Sequence, residues 1–132
     1  MASSSLTSTG SVTVTGTSAN GMGIFLINEV NGGTFAGSSL TGCGVYLSGN
    51  VTDARVTGTV DRGEGITTVG TNQKAANTTL EGKSNSGLGV RIASSLTSTG
   101  SVTVTGTSAK GMGIALLSEV NGGTFAGSSL TD

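Results

Sequence analysis

The chain has no proline, no histidine and no tryptophan, one cysteine (Cys43), and four aromatic residues, Phe25, Phe35, Tyr46 and Phe125. Each shortage excludes something. Without histidine there is no imidazole for general-base work or for a histidine-ligated metal. A single cysteine excludes an intrachain disulfide and a cysteine zinc site. Six basic residues against seven acidic ones, net charge −1, leave no electrostatic footprint for nucleic acid or an anionic membrane. The longest apolar run, Ile24 to Ile27, is too short to cross a bilayer, so no membrane insertion is expected. No secretory signal is legible, so an export signal would belong to a longer parent protein. Nothing points to a catalytic centre, a cofactor or a metal.

What the chain does have is 24 glycines within 132 residues, many Ser and Thr, and a steady supply of Val and Ile. Low charge with abundant β-branched residues argues against disorder and for an ordered β structure.

The sequence repeats itself. Leu6–Thr41 returns as Leu96–Thr131, with only four changes: Asn20 to Lys110, Phe25 to Ala115, Ile27 to Leu117 and Asn28 to Ser118. Inside this long period lies a shorter one. A Gly-x-Gly-(Ile/Val) phrase begins at Gly21, Gly42, Gly63, Gly87 and Gly111, at spacings of 21, 21, 24 and 24 residues. Another glycine precedes each phrase by five residues (Gly16, Gly37, Gly58, Gly82, Gly106), and Gly127 continues the column. Two residues before each of these stands an apolar side chain: Val14, Phe35, Val56, Leu80, Val104 and Phe125.

Alternation within each unit has a period of two, the signature of strands. It predicts Val12 and Val14 inward, then Met22, Ile24 and Leu26 inward with Gly23 and Phe25 outward, then a third inward position at Val30, Val51, Leu96 and Val120. One unit cannot bury enough surface to fold alone, so the units must stack and share hydrogen bonds and core. The expected fold is all-β: a right-handed parallel β-helix (β-solenoid) of about six coils, 21–24 residues each, with three short strands per coil. Residues 1–132 make a single domain, with coils near 10–30, 31–51, 52–75, 76–99, 100–120 and 121–132 and a partial leading coil at 1–9. Gln73–Ala75 and Thr97–Thr99 are the expected three-residue insertions of the longer coils, bulging from a corner.

Ser11-Val-Thr-Val-Thr-Gly-Thr-Ser18, Gly111-Met-Gly-Ile114 and Tyr46-Leu-Ser-Gly-Asn-Val-Thr52 resemble the haemagglutinin-type repeats of bacterial two-partner-secretion exoproteins. That family includes filamentous haemagglutinin-like adhesins and the long sticks of contact-dependent growth-inhibition effectors. The resemblance spans essentially the whole chain. It implies a right-handed β-helix, secretion to the bacterial cell surface through a partner pore, and a non-catalytic structural role in a surface filament that presents binding or effector domains.

Two outward features are candidate binding surfaces. Thr13, Thr34, Thr79, Thr103 and Thr124 share a column that Arg55 interrupts. Only Thr13/Thr15 and Thr103/Thr105 supply the paired threonines of an ice-binding rung. Solvated strand surfaces favour threonine in any case. Phe25 and Tyr46 share a second outward column, followed by Thr67, Arg91 and Ala115. Adjacent exposed aromatics suit a glycan or a host or neighbouring-cell receptor, but the change from Phe25 to Ala115 means that the fold does not demand an aromatic there. Asp53, Arg55, Asp61, Arg62 and Glu64 concentrate charge in the third coil. Paired carboxylates serve glycoside hydrolysis, but here a turn with Arg62 neutralising Asp61 and Glu64 is the simpler expectation. Glu64 stands in the column of Met22, Cys43, Leu88 and Met112, and Cys43 reads as a small buried thiol. Exposed strands at the two ends of the stack predict self-association through the end coils.

Overall fold

The computed structural model describes residues 6–7, 12–70 and 72–130. The described residues contain no helix. The strands run β1 (Leu6–Thr7), β2 (Thr13–Leu26), β3 (Val30–Asn31), β4 (Thr34–Leu47), β5 (Val51–Thr52), β6 (Arg55–Thr68), β7 (Gln73–Ala76), β8 (Thr79–Ile92), β9 (Leu96–Thr99), β10 (Thr103–Ser108), β11 (Ile114–Leu116), β12 (Val120–Asn121) and β13 (Thr124–Ser129). They form two parallel sheets. The first follows the order β1-β3-β5-β7-β9-β12, and the second the order β13-β10-β8-β6-β4-β2, with β11 also on β8. Every pairing is to the next coil, so the molecule is a β-solenoid.

The register is the one the repeat predicts. Val14, Phe35, Val56, Leu80, Val104 and Phe125 are successive ladder partners. Phe35, Val56, Leu80 and Val104 are buried, with Val14 and Phe125 packed against them. Val102 is buried in the same way, while its repeat equivalent Val12, beside the edge strand β2, is 40% exposed.

Each coil has three arms. The first two are one continuous 14-residue strand in β2, β4, β6 and β8, folded over near Ala19, Leu40, Asp61 and Asn85, which drop out of the ladder. The fold brings Gly16 against Gly23, Gly37 against Gly44 and Gly58 against Gly65: a methyl group on the first glycine of each pair would overlap the carbonyl oxygen of the second. The cross-section is therefore a wedge. It is pinched to backbone-on-backbone contact at the glycines and widens toward the short third arm, where the apolar side chains fit.

The pinch reverses one part of the expected facing. A side chain at Gly23 would run into the backbone of Ser38, so Gly23 points inward, not outward. Ile24 is also inward and buried. Two consecutive inward residues break the alternation, and Gly23, Gly44, Gly65 and Gly89 are skipped in the ladder at the same place on every coil, so the register is kept. Met22 is thereby turned out, 43% exposed, along with the column it heads.

The longer coils also differ from expectation. Gln73–Ala75 does not bulge; it belongs to β7, which pairs with β5 on one side and β9 on the other. Thr97–Thr99 likewise lies in β9. The three added residues lengthen the third arm from two residues to four. They shift its inward column, so that Val51 stacks on Ala75 and Leu96 on Gln73. Gln73 points into the widened interior: its amide Nε2 donates to the Gly49 carbonyl (2.6 Å), and its Oε1 accepts from Ser94 Oγ (2.6 Å). Thr68 Oγ1 lies 3.0 Å from Ser94 Oγ.

The third arm turns into the first through residues in left-handed backbone conformation: Gly32, Asp53, Asn77 and Gly100 have φ of 79°, 51°, 47° and 71°. Asp and Asn are the residues other than glycine that best tolerate this region.

Candidate binding surfaces and the groove beside Tyr46

The first arm presents alternate residues to solvent, starting from the first residue of each long strand. Thr13, Thr34, Arg55, Thr79, Thr103 and Thr124 stack in register, and so do Thr15, Ala36, Thr57, Glu81, Thr105 and Ala126. A third outward column, Thr17, Ser38, Thr59, Lys83, Thr107 and Ser128, was legible only once the bend was placed beyond Ser18. Thr13-x-Thr15-x-Thr17 and Thr103-x-Thr105-x-Thr107 are complete hydroxyl rungs, but they lie four coils apart. Between them, Glu81 takes Lys83 at 3.2 Å and Arg55 at 3.7 Å, so a charged patch divides the threonine face.

The second arm carries the other candidate. Phe25, Tyr46, Thr67, Arg91 and Ala115 are consecutive partners across the ladders. The rings of Phe25 and Tyr46 stack with centroids 4.8 Å apart and planes 14° from parallel, the spacing of the coils themselves. Because Met22 is turned out, its column runs beside this one: Met22, Cys43, Glu64 and Leu88. The two columns bound a shallow groove of about 270 Å³, whose lining includes Met22, Cys43, Tyr46, Glu64, Thr67 and Arg91. The outward facing also accounts for Glu64: its carboxylate sits at a surface position rather than in an apolar core.

Thr67 forms the floor of the groove. It is only 4% exposed, and its side chain lies against the Cys43 thiol. Cys43 lies beside it, buried, with Sγ directed at the Val45 carbonyl (3.0 Å). Burial pushes the Cys43 thiol above its ordinary range. The nearby Thr67 side chain favours the thiolate and opposes the rise, and the Glu64 carboxylate adds to it. A protonated thiol here is a packing group, not a nucleophile.

The charged third coil resolves into separate local roles. Asp53 holds a left-handed turn. Asp61 accepts from Asn85 Nδ2 (2.9 Å) and pairs with Arg62 (3.7 Å). Glu64 takes no part in that pair and lines the groove instead. Asn50 and Asn77, which head Asn-x-Thr phrases, spend their side-chain oxygens on the backbone N–H of Lys74 and Ser101. Among the described residues, no group of three His, Cys, Asp or Glu side chains gathers to hold a metal ion.

No protein-family model, curated protein or solved structure matches this chain.

Proposed function

We propose that this chain is a non-catalytic extension module of a bacterial cell-surface filament, a spacer that carries binding or effector domains away from the cell. The observation that supports the reading most directly is the unbroken ladder. Four consecutive 14-residue strands pair without insertion or deletion, and all length variation is absorbed in the third arm. Such a stack lengthens by repetition without changing its cross-section. The near-identity of Leu6–Thr41 and Leu96–Thr131 fits growth by duplication, since Thr131 stands where Thr41 stands. The resemblance to haemagglutinin-type repeats supplies the surface setting. Self-association belongs to the same reading: β2 and β13 are the outer strands of their sheet, and a second copy seated on either would continue the stack head to tail.

Appending residues 42–131 again after Thr131 tests extension. Each added copy supplies four coils, about 19 Å at ~4.8 Å per rung. Small-angle X-ray scattering should show the maximum dimension growing by that amount per copy with an unchanged cross-sectional radius. A thickening or unfolded particle would end the spacer reading. Protease shaving of intact cells that produce the parent protein tests the surface setting.

A further inference from the structure

Asparagine stands before glycine at Asn20, Asn31 and Asn121. This pair is open to self-modification, because glycine has no side chain to keep its amide nitrogen away from the preceding carboxamide. Two of the three pairs share one local sequence, Glu29-Val-Asn-Gly-Gly-Thr-Phe35 and Glu119-Val-Asn-Gly-Gly-Thr-Phe125. Their local structure is also shared. Each asparagine ends a short third arm, Val30–Asn31 or Val120–Asn121. Each leads into a glycine of left-handed conformation, with φ 79° at Gly32 and 80° at Gly122. Asn31 Nδ2 donates to Glu29 Oε1 at 2.9 Å, and Asn121 Nδ2 to Glu119 Oε1 at 3.3 Å.

What differs is the covering coil. β3 lies between β1 and β5, so Asn31 pairs with Thr7 on one side and Thr52 on the other. The Gly32 N–H donates to the Thr52 carbonyl at 2.7 Å. β12 is the outermost strand of the same sheet and pairs only with β9. Asn121 and Gly122 are exposed, and among the described residues no acceptor takes the Gly122 N–H. The same nitrogen is therefore tied down at one site and loose at the other.

We infer that Asn121 is a site of spontaneous deamidation and isomerisation, and that the coil stacked on Asn31 protects it from the same fate. Gly122 N loses its proton and attacks Asn121 Cγ, and the new N–Cγ bond closes a five-membered succinimide. The Cγ–Nδ2 bond breaks, and Nδ2 takes up a proton and leaves as ammonia. Water then opens the ring at either carbonyl, giving aspartate or isoaspartate. The balance is carboxamide plus water to carboxyl plus ammonia, with no oxidation or reduction. Ring closure requires the asparagine to rotate out of its extended conformation. At Asn121 only an end arm must move. At Asn31 the Gly32–Thr52 bond must first break and the arm must leave its place between two neighbours, a local unfolding event.

The product alters the end face, whether or not the chain serves as a spacer. A carboxylate replaces the amide that donates to Glu119, so two like charges meet on the outer arm. Isoaspartate also adds a backbone methylene, which breaks the pairing of Val120 and Asn121 with Leu96 and Thr97. An uncovered end thus records its exposure covalently and becomes a poorer seat for a following coil.

The full chain is incubated at high dilution and mildly alkaline pH, folded in one sample and in urea in another. Cleavage after glutamate separates Asn31 and Asn121 from each other and from Asn20. Mass spectrometry measures conversion at each site, and enzymatic methylation of isoaspartate identifies the isomer. In the folded chain Asn121 should convert at least tenfold faster than Asn31, a difference set by the opening equilibrium of the covered arm. In urea the two should convert at one rate, since their flanking residues are identical. Appending residues 42–131 after Thr131 places a second Thr52 in register with Asn121, and Asn121 should then slow to the rate of Asn31. Equal rates at the two sites in the folded chain, faster conversion of Asn31, or no conversion of folded Asn121 while urea permits it would each overturn the inference. So would undiminished conversion of Asn121 in the folded, extended chain.

Discussion

Gly58 lies so close to Gly65 that a methyl group on the first would occupy the space of the second's carbonyl oxygen. The same relation holds at Gly16 and Gly23, Gly37 and Gly44, Gly82 and Gly89, and Gly106 and Gly113. Two glycine columns thus set the thickness of the narrow end of the wedge. Gly58→Ala must force the first two arms apart against both neighbouring coils, and should cost about 3 kcal/mol or more. Gly21→Ala is the control. A methyl there meets only Ser18 Oγ at 3.4 Å, so the change should stay within about 0.5 kcal/mol or stabilise slightly by restricting the unfolded chain. Urea denaturation of both variants measures the difference. Equal cost would remove the pinch as a determinant of the fold.

Facing is tested beside the Gly58 pinch. Val56 is fully buried between Phe35 and Leu80, and Val56→Asp puts a carboxylate in the apolar column with no partner. That should leave no folded rod at neutral pH. Thr57 is its outward neighbour, between Ala36 and Glu81 on adjacent coils. Thr57→Asp should fold and lose less than about 1 kcal/mol, what is lost arising from the like charge of Glu81. Circular dichroism melts decide it, and comparable damage from the two would refute the assignment of faces.

The solenoid and its register were legible because two signals coincide at one spacing: the column of Val56 and its equivalents, and the glycines two residues beyond. What was not legible traces to specific physical events. Strict alternation puts Met22 inside and Gly23 outside, but the close approach of Gly23 to Ser38 turns two consecutive residues inward and shifts the parity by one residue. That shift exposes Met22, removes the difficulty of a charge at Glu64, and creates the groove next to Tyr46. The Phe25–Tyr46 column itself was legible, since it lies after the break in alternation and Phe25 alternates with Ile24 and Leu26. Three added residues look like an exposed loop in sequence. Their burial depends on Gln73 finding Gly49 and Ser94 across the interior, which no local pattern announces.

That internal network is a stability element in its own right. Gln73, Ser94 and Thr68 are all buried, and Gln73 is bonded at both ends of its amide. Gln73→Ala leaves a cavity and strands the Gly49 carbonyl, while Ser94 Oγ keeps only Thr68 as a partner, a combined cost of about 2–4 kcal/mol. Ser94→Ala alone should cost about 1–2 kcal/mol, because Gln73 keeps its bond to Gly49. In the double variant the two costs should fall short of additivity by at least about 0.5 kcal/mol, the coupling expected of residues in one network. Strict additivity in a double-mutant cycle by denaturant titration would show that the side chains act separately.

Cys43 gives the rod a pH dependence with a defined sign. Burial, with Glu64 adding to it, raises the folded-state thiol above its ordinary value of 9.0. Below that value both folded and unfolded chains hold the proton, and the contribution to stability is fully present. As pH rises past 9 the unfolded chain loses its proton first, so stability falls, by up to about 1.4 kcal/mol per pH unit until the folded thiol also ionises. Cys43→Ala removes this contribution and leaves the rest of the chain common to both proteins. The stability difference between the two should therefore be flat up to about pH 8.5 and narrow above it. The wild-type thiol should also react with iodoacetamide far more slowly in the folded state than in urea, and faster in Glu64→Gln, where the neighbouring charge no longer opposes ionisation. A pH-independent difference to pH 10, together with full-speed alkylation of the folded chain, would mean that the thiol is neither buried nor perturbed.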